Sequence, residues 1–190
     1  MLVLLDRDGV INEDSPLYVK SPEEWRPIRG SLDAIARLNR AGHTVVVCSN
    51  QSGVWRGLFG EQVLEAIHAK MRAALAARGG HLDAILYCPH APDAGCDCRK
   101  PKPGMLRDAM ARFADAATHT VFIGDSRRDV DAAIAARCTP LLVRTGQGAR
   151  TETLLAARDH DSPRNAAGRE RLRVFDDLAQ AADWVIECGG

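Results

Sequence analysis

Leu2-Val3-Leu4-Leu5-Asp6-Arg7-Asp8-Gly9-Val10-Ile11 decides the fold. A four-residue apolar run closed by charges reads as a short parallel strand, because a strand buried on both faces has no reason to alternate. Open α/β sheets hold their chemistry beyond the carboxyl ends of such strands. On that reading Asp6 and Asp8 leave the strand on one side, Arg7 points away, and Gly9 lets the chain turn sharply. Two carboxylates so close repel unless a cation sits between them or one keeps its proton. The pair therefore reads as a Mg²⁺ site or an acid/base dyad. A capping Asp beside a turn Asp is the bland alternative, and only the rest of the chain can separate the two.

Outward from this stretch, apolar runs rich in β-branched residues recur at Thr44 to Cys48, Ala84 to Cys88, Thr120 to Ile123 and Leu141 to Val143. Segments of helical period lie between them. From Glu61 to Arg78, Val63, Ile67, Met71 and Leu75 share a stripe, as do Met105, Leu106, Ala109, Met110 and Phe113 before the fourth run, and Val130, Ala133 and Ile134 after it. Strands alternating with helices predict a three-layer α/β/α sandwich on a central, mainly parallel sheet. Ser21-Pro22-Glu23-Glu24 predicts one capped helical turn, cut short by Pro27. Residues 158–173 are polar, with Pro163 and Gly168, and read as a surface excursion before a last strand and helix from Arg173 to Ile186.

The 190 residues suffice for one well-buried domain, taken as 1–190. Lys+Arg and Asp+Glu balance at 25 each, so no global field draws nucleic acid or an anionic membrane, and an anionic substrate must be held locally. No apolar run is long enough for a membrane span, and no basic-then-apolar leader precedes the first motif, which predicts a cytoplasmic protein. No stretch between Asn12 and Gly30 is long enough for a separate cap domain, so the site is expected to be open.

Every later strand end carries polar residues. Ser49-Asn50-Gln51-Ser52-Gly53 offers a hydroxyl, amides and turn N–H groups suited to a phosphate oxygen, although alone it is an ordinary turn. Arg99-Lys100-Pro101-Lys102-Pro103-Gly104 is a basic segment stiffened by proline, or simply a solvated loop. Gly124-Asp125-Ser126-Arg127-Arg128-Asp129 adds two acids, or caps the helix at Val130. Acid pair, hydroxyl turn, lysine and second acid, each near a different strand end, form a set that chance rarely assembles.

Six cysteines do not suggest a disulfide framework in a chain of this size. Cys88-Pro89-His90 and Cys96-Asp97-Cys98 place three thiols and an imidazole within a loop, 88–98, whose turn-rich centre buries nothing well. Four such ligands match tetrahedral Zn²⁺ with no position left for water, hence a structural ion that holds Arg99 and Lys100 in place. Cys48, Cys138 and Cys188, and His43, His68, His81, His119 and His160, have no partner at ligand spacing. Trp25, Trp55 and Trp184 read as packing residues, with Trp55 near enough to the Ser49 turn to line a substrate mouth.

The four strand-end motifs, over residues 6 to 129, resemble those of the haloacid dehalogenase superfamily of phosphotransferases. The resemblance implies Asp6 as nucleophile and Asp8 as general acid/base, with Ser49 and Lys100 on the transferring phosphoryl group. Mg²⁺ would be held by Asp6, Asp8 and Asp125, with Asp129 nearby, and loss of Asp6 would cost far more than loss of Asp129. Within the superfamily, Asp-Arg-Asp-Gly-Val-Ile-Asn at 6–12, Asn-Gln-Ser-Gly at 50–53, the Cys/His pairs and Cys-Arg-Lys-Pro at 98–101 look like the branch that dephosphorylates heptose bisphosphates for lipopolysaccharide core synthesis. That implies a monomer acting on a small sugar bisphosphate, with Arg99 gripping its remote end. Asp14, Ser15, Tyr18, Asn50, Gln51, Ser52 and Ser126 would line the pocket. Histidinol-phosphate phosphatases are the alternative branch; they tend to carry Asp where this chain has Ser52, and a neutral Ser suits an anionic polyol better than a cationic aminoalcohol. A catalytically silent, zinc-braced binding domain is the alternative of another class.

Overall fold

The computed structural model describes residues 1–114, 117–161 and 172–188, with side chains omitted for 158–161. In chain order it comprises β1 (Leu2–Leu5), α1 (Ser31–Arg40), β2 (Thr44–Asn50), α2 (Ser52–Trp55), α3 (Glu61–Ala76), β3 (Ala84–Cys88) and α4 (Gly104–Arg112). β4 (Thr120–Gly124), α5 (Arg127–Ala136), β5 (Thr139–Val143), α6 (Gly148–Asp161), β6 (Arg173–Phe175) and α7 (Leu178–Cys188) follow. The strands form one sheet in the order β3-β2-β1-β4-β5-β6, and every neighbouring pair is parallel.

β1 lies inside this sheet, with Leu4 opposite Val46 on one side and Phe122 on the other. Its four side chains are all buried, and alternate ones serve opposite layers. Val3 and Leu5 pack with Leu32 and Ile35 of α1, Ile67 and Met71 of α3, and Val185 of α7. Leu2 and Leu4 pack with Leu106 of α4 and Ala132 and Ala133 of α5. Leu142 of β5 meets Leu155 of α6 beside the latter group. The predicted three-layer sandwich is thus observed, and each fully buried leucine in it contributes about 1.5–3 kcal/mol from apolar burial.

Element ends differ from expectation in informative ways. β2 continues through Ser49 and Asn50, which pair with Tyr87 and Cys88, so the hydroxyl expected in a turn stands on a strand. α6 runs to Asp161 and absorbs the start of the expected excursion, while 162–171 fall outside the described residues. The short turn at Pro22–Glu24 forms, but Ser21 makes no side-chain cap; Glu24 instead accepts the Lys20 backbone N–H at 2.8 Å. Among the described residues, that turn is the sole helical element between β1 and α1.

Candidate active site

The cluster at the centre of the sheet begins where β1 stops. The Asp6 backbone N–H still pairs with the Ile123 carbonyl at 2.9 Å, fixing Asp6 beside β4. Gly9 then takes φ +80°, and a Cβ there would collide with Asp125 Oδ2, so glycine is required both for the turn and for the close approach. Gly124, at the end of β4, is likewise pressed against Asp129. Asp6, Asp125 and Asp129 thereby bring carboxylate oxygens within 4.8 Å of one another.

Lys100 completes this cluster. Its Nζ, on a side chain 2% exposed, lies 2.9 Å from Asp6 Oδ1 and 2.7 Å from Asp129 Oδ1. Burial opposes its charge, but the two carboxylates more than compensate and raise its pKa. One cation among three acids is too little. Burial lifts Asp6 to about 7 against the attraction of Lys100, and repulsion from Asp129 and Asp8 adds to the rise. Burial together with Asp129 and Asp6 lifts Asp125 to about 8, against a hydrogen bond from the Gln147 N–H. Three carboxylates gathered this closely, two of them with ionisation held back chiefly by burial, fit a hard divalent cation such as Mg²⁺.

Asp8 stands apart from this group. Its carboxylate accepts from Arg7 Nε at 3.1 Å and Nη2 at 3.0 Å, from Asn12 Nδ2 at 2.9 Å and from Gln51 Nε2 at 3.0 Å. Burial alone would raise its pKa, yet the Arg7 charge and these hydrogen bonds hold it below the usual carboxylate range. Arg7 was expected to point away; instead its side chain, 1% exposed, curls back onto Asp8 and also donates to Gln51 Oε1. The Asp8 side chain is therefore not gathered with Asp6, Asp125 and Asp129. Behind it, Asn12 Oδ1 accepts from the Trp25 indole at 3.0 Å, which ties the turn to the core.

Residues 88–104 reach the site through a brace on β2. Asn50 Nδ2 donates to the Lys100 carbonyl at 3.0 Å, and Asn50 Oδ1 accepts the Lys100 N–H at 3.1 Å. On the same strand end, Ser49 Oγ accepts from Gln51 Nε2 at 2.8 Å. Preceding Lys100, the ligand atoms of Cys88, His90, Cys96 and Cys98 lie within 4.8 Å of one another. Cys88 Sγ is 3.5 Å from His90 Nδ1 and 3.7 Å from Cys96 Sγ, and Cys98 Sγ is 3.3 Å from the same nitrogen. A zinc tetrahedron with bonds of about 2.3 Å to sulfur and about 2.0–2.1 Å to nitrogen has edges of about 3.6–3.8 Å. The cluster is already near that size.

All of these functional groups apart from the Cys/His cluster open onto one cavity of about 330 Å³ at the carboxyl ends of the strands. Asp14, Ser15, Tyr18, Asn50, Gln51, Ser52, Arg99 and Ser126 all line it, so every residue expected to line a pocket does so. Several are already committed: Asn50 to Lys100, Gln51 to Asp8, and the Ser126 hydroxyl and N–H to Asp129 Oδ2. Trp55, 61% exposed, is absent from the lining, where the next residue, Arg56, takes its place. Sequence reasoning passed over Arg7, Arg128 and Gln147. The signal for Gln147 was present: it follows β5 in Arg144-Thr145-Gly146-Gln147, a strand end left unread. There Thr145 Oγ1 donates to the Gly9 carbonyl at 2.6 Å, and Gln147 Nε2 donates to Asp14 at 3.0 Å.

Comparisons with known proteins agree with this architecture. The profile of the haloacid dehalogenase-like hydrolase family matches residues 5–137, and a related hydrolase profile matches 97–181. The D-glycero-beta-D-manno-heptose-1,7-bisphosphate 7-phosphatase of Pseudomonas putida is 50% identical over 97% of this chain and 99% of its own length. The enzyme of the same name from Pseudomonas aeruginosa is 47% identical over 98% of each. The crystal structure of the D,D-heptose 1,7-bisphosphate phosphatase from B. bronchiseptica, complexed with magnesium and phosphate, superposes with a TM-score of 0.89 at 48% identity, covering 98% of both chains. Since the motif-bearing strands, their order and the full-length relatives all lead to the same place, the chain belongs to the haloacid dehalogenase-like hydrolase family.

Proposed function

We infer that this chain is a Mg²⁺-dependent phosphatase that removes the 7-phosphate of D-glycero-D-manno-heptose 1,7-bisphosphate, the β anomer being the one in the relatives' names. The observation that carries the reading is the trap formed by Asp6, Asp125, Asp129 and Lys100 beside a cavity that also holds Asp8. An anionic ester can meet a carboxylate only where its charge is neutralised. When bound, Mg²⁺ supplies that neutralisation together with polarisation of the phosphoryl oxygens.

Asp6 attacks phosphorus, its oxygen forming the new P–O bond as the bond to the sugar oxygen breaks. Asp8 gives its proton to the departing alkoxide. Water then attacks the aspartyl phosphate, Asp8 takes a proton from it, and inorganic phosphate leaves with Asp6 restored. Proton transfer of this kind contributes about 10²–10⁴-fold. In the free protein Asp8 is clamped as an anion, the form suited to the second half; the first half requires the Arg7 and Gln51 contacts to loosen around substrate. Lys100 and Ser49 hold the phosphoryl group, and Asp6, Asp125 and Asp129 hold the ion.

The Cys88–His90–Cys96–Cys98 cluster binds structural Zn²⁺ and fixes the approach to Lys100. The chain acts as a single-domain monomer in the cytoplasm; among the described residues no helix is long and apolar enough to cross a membrane. Ser52, neutral and on the cavity wall, favours an anionic polyol over histidinol phosphate. The test is turnover by the purified protein, with Mg²⁺, on both anomers of heptose 1,7-bisphosphate and on histidinol phosphate. Release of one phosphate from the β anomer at the highest kcat/KM is expected, and preference for the amine substrate would overturn the reading.

A further inference from the structure

We propose that His68 is a positioning residue for the acid/base step: from behind the site it takes, through one buried water, the hydrogen that Arg7 Nη1 offers, and so keeps the guanidinium in place while Asp8 moves. The inference rests on the function proposed above and adds a rear anchor to the Asp8 clamp.

Two enclosed polar atoms carry it. Arg7 spends Nε and Nη2 on Asp8 and Gln51, but its Nη1 is buried and has no hydrogen-bond partner among the described residues. His68, on α3 and 1% exposed, likewise has a buried Nε2 without a partner among them. Polar atoms so enclosed are rarely left unpaired in a native protein, and a buried water is a common means of joining two. The sheet brings the pair to one layer. Val3 and Leu5 pack against α3, and Arg7 is the next residue in that alternation. Ile85 of β3 packs on the same layer, and the ring of Tyr87, next in its own alternation, lies with its centroid 5.9 Å from that of His68.

Electrostatics sets how the imidazole is used. Its Nδ1 lies 3.8 Å from Glu65 Oε2, while the Arg7 charge acts on the ring from the site. A carboxylate on one side and a guanidinium on the other favour the neutral tautomer with its proton on Nδ1, which leaves the Nε2 lone pair as an acceptor. Burial first, and then Arg7, bring the His68 pKa down to about 4 against the pull of Glu65, so the ring adds no second cation beside Arg7.

The anchor matters during turnover. Once Asp8 carries a proton it no longer compensates Arg7, and a buried cation needs other acceptors. Gln51 Oε1 provides one at 3.1 Å, and the water held by His68 provides the other. Held from the rear, Arg7 stays where it is as Asp8 turns to the leaving group. Without His68 it follows Asp8 and keeps it an anion, so the step that suffers is protonation of the sugar alkoxide.

The experiment compares kcat/KM, with Mg²⁺, on heptose 1,7-bisphosphate and on p-nitrophenyl phosphate, whose phenolate departs without a proton, for wild type, His68→Leu, His68→Gln and His68→Asn. His68→Leu is expected to lower kcat/KM on the sugar ester about 10–100-fold, through kcat and with KM nearly unchanged. Turnover of the p-nitrophenyl ester should change less than about twofold, which also shows that the variant folds. Glutamine, whose Oε1 reaches the position of Nε2, should restore most of the loss, and asparagine, which reaches only that of Nδ1, should not; this pair decides the matter even where leucine prevents folding. Equal losses on both esters, no loss on the sugar ester, or rescue by asparagine as complete as by glutamine would overturn the inference. A wild type that leaves the sugar ester intact, or Asp8→Asn that cleaves it at the wild-type rate, would instead bring down the proposed function.

Discussion

Asp129 shows how much one side chain can hold. It was expected at the margin of a magnesium site, yet it is 1% exposed, accepts from both the N–H and hydroxyl of Ser126, and pairs with Lys100 at 2.7 Å. Its loss leaves a buried ammonium with half its compensation, and breaking such a pair costs about 3–5 kcal/mol. Asp129→Asn is therefore expected to lower the urea midpoint by a corresponding amount, whereas Asp6→Asn, at a 13% exposed side chain on the cavity wall, should abolish turnover with a smaller loss of stability. Measuring both quantities on both variants checks this, and a stable, inactive Asp129→Asn would contradict it. Arg7 carries the complementary lesson. Alternation along a strand predicts where its Cβ starts, but a long side chain can fold back to find the nearest uncompensated acid.

At the scale of elements, Asn50 ties a strand to a loop. Both ends of its amide are used by the Lys100 backbone, so Asn50→Ala is expected to reduce kcat by about tenfold or more while KM for substrate moves little, because the lysine is displaced rather than removed. Steady-state kinetics separate the two constants, and an effect confined to KM would instead make Asn50 a substrate contact. What could be read in advance follows from locality. β1 with its acid pair, the order of strands and helices, and the Cys/His spacing are contained in short windows, and all three are found in the structure. The extension of β2 to Asn50 was hidden because Ser49 and Asn50 are poor strand formers kept extended by pairing with Tyr87 and Cys88, far along the chain, a contact that no local window contains. The Asp8 clamp and the Asp125–Gln147 hydrogen bond were hidden for the same reason: each joins residues that no local pattern relates. Asp8 beside Asp6 in sequence suggested a shared ion, and only the positions of Asn12 and Gln51 reveal that its side chain is engaged elsewhere.

For the whole molecule, the strand ends concentrate repulsion that folding must overcome. Asp6 and Asp125 rise from 3.8 to about 7 and about 8 in the native state, so between the ordinary carboxylate value and those values the folded protein binds more protons than the unfolded chain. Stability without a divalent ion must then fall as pH rises across that window. Asp8, held low, works in the opposite sense: its contribution is complete above the ordinary value and is lost as acid protonates it. The thermal midpoint of magnesium-free protein is expected to drop from about pH 5 to about pH 8 and to recover with millimolar Mg²⁺, since an ion that binds only the native state stabilises it. A flat magnesium-free profile would show the acids to be accommodated without a cation. The central place of β1 has a further consequence, one of timing. Leu2 completes its pairing only with Thr120 and Asp6 meets Asp125 only beyond that, so a chain made from its N-terminus carries Asp6 without its acidic partners through most of synthesis. Chemical competence must wait until Asp125 and Asp129, which lie beyond the fourth strand, have been made.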